Sequence, residues 1–205
     1  MTAPTAARPL PRSASRVQRA FPLGLATLLL AACASIEPAA DAPEAAIVPI
    51  ADAAFSIEGR LSARRGSDAV AAGFTWSHDP PRDALVVTSP LGQTLAELAG
   101  DTSEGRVRLV LADGRGDVAP DWTALTERAL GFPLPVGALA AWVRGVPHAA
   151  SAYSVEADRS GRAIVLRQDG WEIVYGYETA DERRPVSLRL ADAATEVRIV
   201  IERWF

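Results

Sequence analysis

The sequence predicts a mainly β fold: an antiparallel meander, curled or closed on itself, with two short helices set into its middle. Three observations predict it. From Phe55 onward apolar and polar residues alternate with the period of two that a half-buried strand requires. Tight-turn signals punctuate that alternation at Asp113-Gly114, Arg159-Ser160-Gly161 and Asp169-Gly170. Between Asp121 and Pro147 the strand period gives way to helix-start and helix-stop residues.

In chain order, Phe55, Ile57, Gly59 and Leu61 share one phase, while Ser56, Glu58, Arg60 and Ser62 share the other. Phe74 and Trp76 continue the inward phase, and His78 is expected in a turn before Asp79-Pro80-Pro81. Strands follow over 83–88, where Leu85-Val86-Val87 is apolar on both faces, and over 94–99. Val107, Leu109 and Leu111 alternate with arginine and valine. Asp121 is a good N-cap for a helix over 122–130 ended by Gly131, and Pro133 and Pro135 then break the chain. A second helix is expected over 136–144, closed by Gly145 and Pro147, with Val136, Leu139, Ala140 and Val143 as its apolar stripe. Further strands are expected over 153–157, 163–168, 171–178, 186–190 and 196–204. Roughly ten short strands in a row must curl or close to hide their edges, and the two helices are well placed to cover an open mouth.

The N-terminal segment has a different character. Residues 1–32 hold Arg8, Arg12, Arg16 and Arg19 and no acidic residue, then an apolar run from Phe21 to Leu30 and Leu30-Ala31-Ala32-Cys33. That run is about ten residues, short of the ~20 a spanning helix needs, so it reads as a secretory signal. A cysteine directly after Leu-Ala-Ala is a lipobox, and Cys33, the single cysteine, is the expected lipid attachment site. The expected organisation is a lipoprotein signal peptide at 1–32, a lipidated N-terminus and flexible Ala/Pro-rich tether at 33–53, and one domain at 54–205. Ala34 rather than aspartate after the cysteine points to the outer membrane, periplasmic face. All 21 basic residues are arginine; removing the four in the signal leaves 17 against 25 acids, a mature charge of −8. So acidic a domain is a poor binder of nucleic acid.

Enzyme chemistry has little to stand on. The chain has no lysine, which excludes Schiff-base and P-loop chemistry. His78 and His148 have no metal-ligand spacing around them, there is no Gly-x-Ser-x-Gly elbow, and the carboxylates read as solvated surface. No enzyme, metal or cofactor is expected. What stands out is apolar payload: Phe55, Phe74, Trp76, Trp142, Trp171, Tyr175 and Trp204 fall mainly on inward strand phases or on the second helix, and all of these but Trp204, together with Leu139, are the expected lining of any cavity. Two readings stay open. Aromatics can fill a barrel core, the plainer one, or line a cavity able to hold acyl chains. One turn is unusual: Ser89-Pro90-Leu91-Gly92-Gln93 places a large aliphatic where turns prefer Asn, Asp or Gly. By residue chemistry alone Leu91 is expected to fold back onto the core, the alternative being a tip that touches lipid or a partner.

The lipobox, the Ser-Pro-Leu-Gly-Gln-Thr connection, and Leu130-Gly131-Phe132-Pro133-Leu134-Pro135 followed by Leu139-Ala140-Ala141-Trp142-Val143-Arg144-Gly145-Val146-Pro147 resemble the LolB family, as do Gly170-Trp171-Glu172-Ile173-Val174-Tyr175 and the closing strand to Trp204. The resemblance runs from about Phe55 to Phe205. It implies an unclosed antiparallel β-barrel of the LolA/LolB kind, with short helices as a lid over a hydrophobic cavity. It implies an outer-membrane receptor that accepts lipoproteins from the periplasmic carrier LolA and inserts them into outer-membrane lipid, working as a monomer. It also implies that Leu91, flanked by Pro90 and Gly92, is exposed as the delivery loop. The alternative function is a non-catalytic lipid-binding or structural lipoprotein of another envelope pathway.

Overall fold

The computed structural model describes residues 47, 52–101, 103–130 and 133–205. The expected signal, Cys33 and nearly all of the tether lie outside the described residues, as do Gly131 and Phe132. Among the described residues eleven strands and two helices follow in order: β1 (Phe55–Arg65), β2 (Asp68–Asp79), β3 (Arg82–Thr88), β4 (Thr94–Asp101), β5 (Arg106–Leu111), β6 (Gly116–Ala119), α1 (Trp122–Leu130), α2 (Val136–Trp142), β7 (Tyr153–Ala157), β8 (Ala163–Gln168), β9 (Trp171–Gly176), β10 (Ser187–Ala191) and β11 (Thr195–Trp204).

All the strands form one antiparallel sheet in the order β6-β5-β4-β3-β2-β1-β11-β10-β9-β8-β7. The meander closes on itself only in the middle, where β1 pairs with both β2 and β11. Its free edges are β6 and β7, and the segment joining them is the one that carries α1 and α2. The barrel is therefore open, and α1 packs against β5 and β6. The alternation defines two rims. One carries the start of β1, the β2–β3, β4–β5 and β7–β8 turns and the end of β11; the opposite rim carries the β1–β2, β3–β4, β5–β6, β8–β9 and β10–β11 turns.

The period of two sorts the faces. Ile57, Phe74, Trp76, Ile173, Tyr175, Val197, Ile199 and Ile201 are buried, while the intervening residues meet solvent. On the outer face Arg60 pairs with Glu202 at 2.6 Å, Arg203 with Glu58 at 2.5 Å and Arg64 with Glu196 at 3.2 Å. These pairs stitch β1 to β11 in solvent, where each is worth only ~0–1 kcal/mol. Apolar burial on the inner face is what holds the sheet curled.

The helices follow their caps. Asp121 Oδ1 accepts from the Ala124 amide at 2.8 Å, as its N-cap position predicts. Inside α1 the buried Thr126 hydroxyl donates to the Trp122 carbonyl at 2.9 Å and accepts from the Leu134 amide at 2.8 Å, tying the Pro133–Pro135 connection back to the helix. The second helix is shorter than expected, ending at Trp142 rather than Arg144. There the Arg144 and Gly145 amides turn to the carbonyls of Ala141 and Trp142, and Gly145 takes a φ of +76°. That tightening terminates the helix before its predicted stop. His78 also departs from expectation: it lies within β2 and is buried, because Asp83 across the hairpin supplies an acceptor and Phe55 stacks on its ring.

Candidate functional site

The seven side chains expected from sequence to line a cavity share one core cluster. Phe74, Trp76, Trp142, Trp171 and Tyr175 are buried, while Phe55 and Leu139 are half-buried at its margin. Phe55 joins several rings at the first rim. Its ring meets Trp76 edge-on at 5.0 Å, stacks on His78 at 4.9 Å and approaches Trp204 at 6.0 Å.

Beneath these rings runs a polar network that sequence reading placed in solvent. Asp83 Oδ1 accepts from Trp76 Nε1 at 2.7 Å and lies 2.8 Å from His78 Nδ1. His78 Nε2 faces Asp52 Oδ1 at 3.0 Å, and Arg144 Nη2 donates to the same oxygen at 3.1 Å. Burial works against a charge on His78, but the hydrogen bonds and charges of Asp83 and Asp52 outweigh it and raise its pKa above the ordinary 6.5. The network joins the residue preceding the sheet, the sheet itself and the turn after α2. A second clamp is Gln168 at the end of β8. Its Oε1 accepts from Trp142 Nε1 at 2.9 Å and the His148 amide at 2.8 Å, and its Nε2 donates to the His148 carbonyl at 2.6 Å. Asp83, Gln168 and Arg144 were missed from sequence. The available signal was the symmetry of His78 and Asp83 about the Asp79–Arg82 hairpin.

Three buried polar atoms have no partner among the described residues: Tyr175 Oη, Trp122 Nε1 and His148 Nδ1. Burial, with a smaller contribution from Tyr177, pushes the Tyr175 phenol far above the usual tyrosine range. It is a neutral donor at every working pH. Trp122 reaches the interior because Gly100 has no side chain: a Cβ there would lie 2.6 Å from its Cζ2.

Leu91 sits apart from the His78–Asp83 network, on the opposite rim, between β3 and β4. It is 89 % exposed. The Gly92 amide donates to the Ser89 carbonyl at 2.9 Å, closing a turn with Pro90 and Leu91 at its centre and Gly92 at a φ of +80°. Ser89 Oγ accepts from the Leu91 and Gln93 amides at 3.3 and 3.2 Å, and the Ser89 amide donates to the Gln93 carbonyl at 2.7 Å. The loop's polar atoms are thus turned inward and its leucine outward, the reverse of the fold-back expected from residue chemistry alone. The structure therefore does not bring Leu91 together with the aromatic cluster, and Cys33 falls outside the described residues.

The family model described as outer membrane lipoprotein LolB matches residues 53–204. The chain belongs to the LolB family. Among LolB relatives, an outer-membrane lipoprotein LolB of Chromobacterium violaceum is 38% identical over 189 residues, covering 92% of this chain and 99% of that one. That of Bordetella petrii is 39% identical over 173 residues, covering 82% of each. That of Thiobacillus denitrificans is 37% identical over 176 residues, covering 85% of this chain and 91% of its own. A solved LolA superfamily protein of Nitrosomonas europaea is similar at a TM-score of 0.45 and 11% identity, over 78% of this chain and 89% of that one. As a LolB protein the chain is a lipid-anchored lipoprotein of the outer membrane with a receptor role in lipoprotein trafficking.

Proposed function

We propose that the domain, anchored through Cys33, takes acylated lipoproteins from a LolA-like periplasmic carrier, shelters their acyl chains between the sheet and the helices α1 and α2, and hands them to outer-membrane lipid at Leu91. The single observation that carries the reading is Leu91 itself, a leucine 89 % exposed on a turn braced by its own backbone and Ser89. Such exposure has a cost in water and a use at a lipid surface.

The physics asks little chemistry of the site. Three acyl chains of ~15 carbons, at ~0.8 kcal/mol per CH₂, would lose on the order of 30 kcal/mol if released into water. Transfer must therefore pass from one apolar shelter to the next without a free intermediate. No bond is made or broken, so no catalytic group, nucleotide or metal is called for. Capture requires α2 to move off the sheet, because Trp142 is fully buried and held by Gln168. Opening breaks that clamp and the Arg144–Asp52 bond, and cargo takes the place of aromatic packing.

The complete burial of Trp76 and Trp142 also favours a second reading, a structural lipoprotein with a solid barrel. One assay separates the two. Carrier loaded with a labelled lipoprotein is mixed with this protein and then with liposomes. Wild type is expected to capture the cargo and deliver it, whereas Leu91→Glu captures it and delivers at least tenfold less. Failure of wild type to capture cargo would sink the receptor reading in favour of the solid barrel. Equal delivery by Leu91→Glu would remove the loop from the mechanism.

A further inference from the structure

Two of the unpartnered atoms in the interior, Tyr175 Oη and Trp122 Nε1, are hydrogen-bond donors without acceptors. Both side chains are more than nine-tenths buried, at 7 % and 5 % exposure. They stand on opposite walls of the half-barrel. Tyr175 is on β9, third strand from one free edge, and the Trp122 indole lies on Gly100 of β4, third strand from the other. Tyr175 and Gly100 are each the penultimate residue of their strand, and both strands end at the same rim.

A buried donor left unpaired destabilises the empty fold, and phenylalanine at either position would avoid that cost. The donors are accounted for if the occupant of the interior brings acceptors. Alkyl chains bring none. The ester carbonyls at the head of a diacylglyceryl group are acceptors that donate nothing, and they sit where chains packed side by side emerge from an apolar shelter.

We infer that Tyr175 Oη and Trp122 Nε1 form a polar collar that binds the ester carbonyls of a diacylglyceryl lipid when acyl chains occupy the interior. The inference rests on the receptor reading above and adds to it a specificity for chemistry at the head of the chains. The collar fixes how deep the cargo sits, so that chains are buried while the polypeptide stays outside. His148 Nδ1, the third unpartnered atom, belongs to a ring that either donates or accepts, and it is not needed for the collar.

The test is a competition. The full chain in detergent micelles is offered equal amounts of a diester lipopeptide and its diether analogue of the same chain length, and the bound pair is recovered and weighed by mass spectrometry. Wild type is expected to hold the ester over the ether by about fivefold, equivalent to ~1 kcal/mol. Tyr175→Phe and Trp122→Phe should each bring the ratio toward one, while the Tm of the empty Tyr175→Phe protein stays level or rises. A parallel offer of a diester phospholipid against the diester lipopeptide tells whether the carbonyls held belong to free lipid or to a lipoprotein; loss of the ester preference in the variants supports the collar with either source. A wild-type ratio of one, an unchanged ratio in both variants, or a lower Tm for Tyr175→Phe would overturn the inference while leaving the receptor reading intact. Recovery of neither lipopeptide by wild type would overturn both.

Discussion

The loop at Leu91 and the cluster around Asp83 reverse the usual sorting of residues in opposite senses. At the loop a leucine is placed in water and the polar atoms around it are satisfied by one another. In the cluster a carboxylate and an imidazole are placed in the core and satisfied by Trp76 and Asp52. The two regions lie at opposite rims of one sheet. The difference separates two kinds of work. The buried polar groups fix where the residue before β1 and the turn after α2 rest on the sheet, so they contribute to stability. The exposed leucine contributes nothing to packing, so substitutions there should leave stability alone and change function.

That contrast can be broken or sharpened by substitution. The largest effect on stability is expected at Trp142→Ala, which removes a fully buried indole and its bond to Gln168 and should cost ~3–5 kcal/mol in denaturant unfolding. Asp83→Ala comes next. It leaves Trp76 Nε1 and His78 Nδ1 without their acceptor, and a loss of ~2–3 kcal/mol is expected by the same measurement. The histidine makes this region pH-sensitive. Because the folded pKa of His78 is raised above 6.5, the stability it contributes is fully present below that value and is lost as pH rises through the raised pKa. Tm measured from pH 5.5 to 9 should therefore fall more steeply in wild type than in His78→Phe, and parallel curves would contradict the assignment. Ser89→Ala loosens an exposed loop and should cost less than ~1 kcal/mol while lowering lipid delivery. Leu91→Ala should change stability by no more than ~0.5 kcal/mol. A larger loss would mean that the leucine packs in solution after all.

Much of the architecture was legible because strand period and turn chemistry are local. The bounds of β7 and β8 and of α1 agree with the alternation and the Asp121 cap, and the Ser-Pro-Leu-Gly turn falls where its residues require it. The chain closure was not local. Pairing of β1 with β11 joins residues more than a hundred positions apart, and nothing in either segment announces its partner. The buried pair His78 and Asp83 was hidden because residue type and the expected turn at Asp79-Pro80-Pro81 place both at the surface, and only the hairpin and the stacked Phe55 exclude water from them. The direction of Leu91 was read wrongly from residue chemistry and rightly from family resemblance. Turn propensities describe backbone conformation and solubility, and they do not say which way a leucine at the centre of a turn points.

The central claim is that Leu91 enters lipid. It is tested most directly in the domain from Ala34 onward, with Leu91→Cys carrying an environment-sensitive fluorophore on its only thiol. On mixing with liposomes during cargo delivery, the emission is expected to shift to the blue and to be quenched by doxyl groups on the acyl chains. Emission that stays at its aqueous wavelength and escapes the lipid quencher while cargo is delivered would contradict the account.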